Sequence, residues 1–145
     1  WPGEGPGVMS IVQTQTTSFK AELYEGVHNL LVDDIYMALY TGNANLNADT
    51  TVYSSTNEVT GTGYVAGGVQ MTGVTINTSD YTVYVNFANT EFNASVTARC
   101  ALIYNASQGN KSIAVLDFGS DKTSTNFTVT MPANTATSAL IRSSN

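Results

Sequence analysis

Few side chains in this sequence could do chemistry, and their spacing decides how each is read. The chain has one imidazole, His28, and one free thiol, Cys100. A zinc site or a Cys–His dyad needs partners at recurrent spacings, and a single residue of each kind supplies none. His28 follows an expected helix and reads as a solvent-exposed or helix-capping residue. Cys100 stands among alternating apolar residues, where an unpaired thiol behaves as a small core side chain. Asp33 and Asp34 are adjacent, so in a strand they point to opposite faces and cannot share a substrate. Asp117 and Asp121 flank a turn signal; they could share a Ca²⁺ with backbone carbonyls, or cap the turn with Lys122 as counterion. The tripeptide Asp117-Phe118-Gly119 occurs in kinases, but the other kinase elements are missing. No catalytic set, cofactor site or metal site is assigned, and the expectation is a protein that is not an enzyme.

The glycines between Gly61 and Gly68 lack the Gly-Lys-Ser/Thr ending of a phosphate loop and open a strand, so they read as bends. Asn-x-Ser/Thr sequons begin at Asn77, Asn93, Asn105, Asn110 and Asn126. They reflect an Asn-, Ser- and Thr-rich composition rather than glycans. The eight tyrosines are the stronger aromatic signal. Tyr24, Tyr53 and Tyr64 lie outside the clear strand cores and are the candidate interface residues, able to anchor a protein contact or stack on sugar.

Charged residues make up 11% of the 145-residue chain, and the net charge is −6. The polar surface must therefore come from Thr, Asn and Ser. Five scattered Lys and Arg residues cannot form the clustered groove that displaces counterions, so no nucleic-acid partner is expected. No stretch approaches the ~20 apolar residues of a membrane span. A single cysteine excludes an internal disulfide framework and suits assembly in a reducing cytoplasm. The opening Trp1-Pro2-Gly3-Glu4-Gly5-Pro6-Gly7-Val8 lacks the basic and apolar regions of a secretory signal. It reads as a flexible extension or a foreign remnant, with Met9 as an alternative start.

The elements that must position these residues centre on a hairpin. Val96, Ala98, Cys100, Leu102 and Tyr104 alternate on one face of its first strand, and the second runs from Ser112 to Phe118. Ala101 and Ile103 are also apolar, which implies cover on both faces. Residues 1–17 read as an extended arm that orders only against a partner, and residues 18–145 as one domain. Ser18 is the expected N-cap of a short helix, with Phe19, Leu23 and Val27 as its apolar stripe and Gly26 near its end. Further strands are expected at 35–40, 69–76, 81–87, 126–131 and 138–142. Tyr81, Val83, Val85 and Phe87 should face the core. The segment 41–56 reads as a long loop with a short strand near 51–53, and 119–124 as a turn. The sum is roughly seven or eight strands in an all-β, β-sandwich fold with one short helix; the pattern leaves the topology, jelly roll or otherwise, open.

Three groups of motifs resemble small structural proteins of tailed bacteriophages, in a match that runs from about Phe19 to Arg142. The first is Phe19-Lys20-Ala21-Glu22-Leu23 through Gly26 and His28, followed by Ile35-Tyr36-Met37-Ala38-Leu39-Tyr40-Thr41. The second is Glu58-Val59-Thr60-Gly61-Thr62-Gly63-Tyr64 with Gly67-Gly68. The third is Ala101-Leu102-Ile103-Tyr104-Asn105 with Ala114-Val115-Leu116-Asp117-Phe118-Gly119. The resemblance implies a virion structural protein on the capsid surface, a decoration or cement protein. The expected partners are the major capsid protein and further copies of this chain, as a homotrimer. A tail or neck component is the alternative within the virion, and a carbohydrate-binding module or adhesin is the alternative outside it.

Overall fold

The computed structural model describes residues 12–144, so residues 1–11 of the expected arm lie outside the described residues. The fold is all-β with one short helix. In chain order the elements are β1 (Val12–Gln15), α1 (Thr17–Tyr24), β2 (Ile35–Tyr40), β3 (Val69–Gln70), β4 (Thr75–Ser79), β5 (Thr82–Asn86), β6 (Thr90–Glu91), β7 (Val96–Asn105), β8 (Lys111–Ser124), β9 (Thr128–Val129) and β10 (Ile141–Ser143). They form a five-stranded sheet of order β1-β8-β7-β2-β3, a three-stranded sheet β10-β5-β4 and a pair β6-β9. Every pairing is antiparallel.

The β7–β8 hairpin is central, as its two apolar runs require, and β2 lies beside β7 with Tyr36 opposite Tyr104 and Tyr40 opposite Cys100. Both faces of this sheet are covered. A first core gathers Ile35, Met37, Leu39, Ala101, Ile103 and Leu116 with Phe87, Phe92, Phe127 and Phe19 from the other sheets, their connections and α1. A second, on the opposite face, holds Ala38, Tyr40, Cys100, Leu102, Tyr104 and Val115. Its cover is no sheet: Ala44, Leu46 and Tyr53 of the irregular segment after β2 pack on it. That segment pairs only briefly, with Val52 bridged to Lys111 at the start of β8, near the short strand expected there.

The expected alternation of β7 breaks at Arg99. Ala98 pairs with Lys122 and Cys100 with Asp117, so one residue of β7 faces four of β8, Phe118 to Asp121. This bulge switches the phase: Val96 and Ala98 belong to the first core, whereas Cys100, Leu102 and Tyr104 belong to the second. The same bulge corrects the turn expected at 119–124. Gly119, at φ +82, bends the chain, but β8 continues to Ser124.

Four other expectations shift. The strand at 69–76 is two strands in different sheets, divided where Gly73 adopts φ +69 against Ala88. In 81–87 the face is as expected, but only Val85 and Phe87 reach the core, while Tyr81 and Val83 are exposed because the three-stranded sheet is peripheral there. The last two strands shorten to Thr128–Val129 and Ile141–Ser143. The helix starts earlier: Thr16, not Ser18, is the N-cap, its hydroxyl accepting from Phe19 N–H at 3.3 Å. Gly26 ends it as expected, with Gly26 N–H donating to Leu23 O and Val27 N–H to Glu22 O, the paired bonds of a Schellman motif. Of its expected stripe, Phe19 is buried, Leu23 is exposed and Val27 lies beyond the last turn.

The end of the expected arm belongs to the sheet. Val12 to Gln15 pair with Asp117 to Ala114 of β8. Their side chains have no apolar pattern because main-chain bonds hold them. The Gln15 amide also reaches across to donate to Arg142 O at 3.0 Å, tying β1 to β10.

Candidate functional site

Two polar clusters are built into the fold, and the first centres on Glu58. The segment that covers the second core returns beside β2, with Glu58 bridged to Tyr40 and Val59 N–H donating to Leu39 O at 3.0 Å. This pairing aims the carboxylate along the sheet. Tyr53 Oη donates to Glu58 Oε1 at 2.6 Å, and Tyr64 Oη to Oε2 at 2.6 Å. Gly67 N–H donates to the same Oε2 at 2.8 Å. Tyr64 Oη in turn accepts from Leu39 N–H at 3.0 Å, while Tyr104 Oη donates to Gly67 O at 2.6 Å. The Tyr104 ring lies between Tyr53, 4.7 Å away, and Tyr36, 6.0 Å away, both nearly parallel to it. Glycine is required next to this cluster. At Gly68, with φ +84, a Cβ would sit 1.8 Å from Met37 O, inside the backbone of β2.

The electrostatics make these phenols unreactive. Burial, reinforced by the Glu58 carboxylate, raises the pKa of Tyr40, Tyr53 and Tyr64 far above the usual value. The same causes push Tyr104 up to about 12. Each phenol is therefore a neutral donor at ordinary pH, and both oxygens of Glu58 are occupied. The cluster fastens the irregular segment to the sheet.

The second cluster surrounds His28. It is buried, which corrects the solvent-exposed reading. Nε2 lies 2.9 Å from Glu22 Oε1, Nδ1 lies 3.0 Å from Asn105 Nδ2, and the ring tilts against Phe19. Asn105 is wholly buried, and its amide orientation is set because Oδ1 accepts from Ser107 N–H at 3.1 Å. Its NH₂ therefore faces both Nδ1 and Asp33 Oδ2, 2.8 Å away. An amide donor at Nδ1 requires an acceptor there, so the tautomer that fits these contacts carries its proton on Nε2, facing Glu22. The Asn105 amide, together with Asn29 N–H, holds the Asp33 carboxyl below its ordinary pKa. This network ties α1 to the end of the central hairpin and leaves no free imidazole nitrogen for a proton transfer.

The other residues singled out by sequence are dispersed. Asp34 lies just before β2, not within a strand, and accepts from Gln70 Nε2 at 3.0 Å. Asp117 Oδ1 accepts from Gly119 N–H at 2.9 Å and from Arg99 Nε at 3.2 Å. These two contacts, in that order of weight, lower its pKa, and Arg99 rather than Lys122 is its counterion. No cluster of three or more His, Cys, Asp or Glu suited to a metal occurs among the described residues. Among those residues no helix is long and apolar enough to cross a membrane. Cys100 is buried beside Thr41 O at 3.8 Å, and burial, then Asp117, pushes its thiol up to about 11. Of the interface candidates, Tyr53 and Tyr64 are drawn into the Glu58 cluster, whereas Tyr24 is 92% exposed. A depression of about 360 Å³ opens beside Tyr40, with Asn43, Asn45, Asp49 and Asn57 on its walls.

Glu58 and Asn105 were not selected by their types. A signal existed for Glu58, the only charged residue between Asp49 and Asp80. Asn105 carried only a sequon, and its burial excludes a glycan there. No protein-family model matches this chain, and neither a curated protein nor a solved structure is found to match it.

Proposed function

We propose that this protein is a non-enzymatic structural component of a bacteriophage virion, a decoration or cement protein that clamps neighbouring major capsid subunits as a homotrimer. The resemblance in the order and spacing of its motifs supplies the particle. The observation that carries the structural role is the closure of both polar clusters. Each oxygen of Glu58 and each nitrogen of His28 has a partner inside the chain, so these groups stiffen the fold. A stiff body with few charges suits a clamp that works by shape and apolar contact. Its acidic balance, −6, disfavours contact with packaged DNA.

The test is a reconstruction of phage particles bearing the protein. Density at junctions between capsid subunits supports the proposal, and density at the neck or tail moves the assignment to the tail or neck alternative. Absence from the particle defeats both. A carbohydrate-binding role is favoured by one feature, the amide-lined depression beside Tyr40. Asn side chains there could hydrogen-bond sugar hydroxyls. Retention of a glycan, lost when Asn43 and Asn45 are replaced by Ala, would favour that reading.

A further inference from the structure

The least explained surface lies between α1 and the three-stranded sheet. Ile76, Val85 and Ile141 are direct cross-strand neighbours on one face of that sheet, and Val83 follows on the same face. Phe19 and Leu23 of α1 stand opposite, enclosing an apolar cleft of about 400 Å³. Phe19, Val85 and Ile141 are its buried floor, while Leu23, Ile76 and Val83 remain more than two-fifths exposed at its rim. The cleft shares Leu23, Ile141 and Ser143 with a groove of about 640 Å³ that holds Lys20, Arg142 and the exposed Tyr24. The chain has five Lys and Arg residues. Neither of these two has a carboxylate partner among the described residues. An apolar trough with two cations at one end fits an occupant that is apolar and acidic.

The same molecule displays such a segment. Leu31 and Val32 are 63% and 74% exposed, and Asp33 and Asp34 follow them directly. The turn is rigid before any contact forms. Asn29 O accepts from Val32 N–H and Asp33 N–H, and Asn29 Oδ1 accepts from Leu31 N–H. Pre-ordering of this kind lowers the entropy cost of docking. We infer that the 31–34 turn of one copy docks in the α1–sheet cleft of a second copy. Leu31 and Val32 cover Leu23, Ile76 and Val83, and the acidic pair supplies the charge that Lys20 and Arg142 attract. Turn and cleft adjoin, since Asn29 and Leu30 just before the turn line the cleft; of the reciprocal and head-to-tail arrangements this allows, the trimer proposed above takes the head-to-tail one, closed into a ring. The inference deepens the self-association proposed above and rests on that reading only for the number of copies.

The experiment uses the full chain in a concentration series by analytical ultracentrifugation. Leu31→Asp removes the plug and Val83→Asp blocks the socket; both positions are exposed, and circular dichroism checks the fold. Lys20→Glu, a fully surface change, repeats the socket test should Val83→Asp disturb the sheet. The wild type should associate and each single variant should be monomeric. A 1:1 mixture of the plug and socket variants should form heterodimers, because one intact plug still meets one intact socket. A monomeric wild type, variants that keep the wild-type mass, or a mixture that stays monomeric overturns the inference. Binding of the same proteins to phage heads separates the two readings. Unchanged oligomers that bind heads overturn the docking contact alone. Variants that dissociate as expected, from a wild type that never binds heads, support the contact and overturn the virion reading.

Discussion

The two faces of the five-stranded sheet are made by the same strands, β2, β7 and β8, yet they are held down by different physics. On one face, aliphatic residues and Phe19, Phe92, Phe118 and Phe127 interdigitate with residues from the other two sheets. Regular structure satisfies the backbone there, and burial supplies the stability. On the other face, tyrosines replace phenylalanines, and the cover is an irregular segment whose main-chain bonds are scattered turns and single bridges rather than a ladder. That segment needs side chains to fasten it, and Glu58 with Tyr53, Tyr64 and Tyr104 does so. A Tyr-rich face marks the side of a sheet covered by loop rather than by sheet, because phenols can both bury a ring and tie down a backbone.

The sharpest way to break the contrast is to remove a ring from the Phe-rich face. Phe118 is fully buried and packs against Phe127. Phe118→Ala should cost roughly 3–5 kcal/mol in urea unfolding, through lost burial plus a cavity. A cost below about 1 kcal/mol would show that this face is not the main source of stability.

Glu58→Ala tests the other face. It leaves the Tyr53 and Tyr64 hydroxyls and Gly67 N–H without their acceptor, and the expected cost is roughly 2–3 kcal/mol. Its location matters more than its size. Hydrogen exchange should accelerate between Tyr53 and Gly67 while the β7–β8 ladder stays protected. Uniform acceleration would mean that the two faces form one unit.

Alkaline pH gives a third contrast, since the phenols with raised pKa gather around Glu58 and only Tyr64 among them also packs on the Phe-rich face, against Phe92. The pKa values of Tyr40, Tyr53, Tyr64 and Tyr104 are raised in the folded state. Below the unfolded value of about 10 the neutral form dominates in both states and the contribution is fully present. As pH rises past it, the unfolded chain loses protons that the folded chain keeps, so stability falls towards pH 12 and beyond. Absorbance of phenolate should therefore appear for these four together with loss of structure. Their ionisation in a still-folded protein would contradict the burial assigned to them.

How much of this contrast was legible in the sequence depends on range. The hairpin, the apolar β2 and the Gly26 helix stop are local patterns, and they appear where the sequence puts them. The cover of both faces was also readable, from Ala101 and Ile103 interrupting the alternation. The phase switch at Arg99 was not, because nothing in β7 reports that β8 will bulge by Phe118 to Asp121. Gly119 gave a true signal of a bend and an ambiguous one of what bends. The N-cap moved from Ser18 to Thr16 because both are good caps, and the pairing of β1 with β8 decides between them. Glu58 and Asn105 draw their partners from across the chain, at positions no local pattern links. Tyr53 and Tyr64 were marked by type as interface candidates, and in this structure they hold this chain's own segment.

Cys100 yields the smallest effect and tests the phase switch directly. It faces the tyrosine side only because the strand changes phase at Arg99; in an unbroken strand it would share a face with Ala98. Its sulfur is 3.8 Å from Thr41 O, too far for a serine hydroxyl on the same rotamer to bond well. Cys100→Ser should therefore cost on the order of 1–2 kcal/mol. The thiol, pushed up to about 11, is almost wholly protonated near pH 8, and only the thiolate attacks disulfide reagents. Labelling of the native protein should be roughly a hundredfold slower than labelling in urea, from thiolate depletion of that order alone. The depression that Cys100 shares with Gly42, Ala44 and Leu46 gives a reagent a path from the loop-covered side. Loosening that side with Glu58→Ala should speed the reaction, while Phe118→Ala at denaturant levels that keep it folded should not. If Phe118→Ala exposes the thiol first, Cys100 belongs to the other face and the switch at Arg99 is wrong.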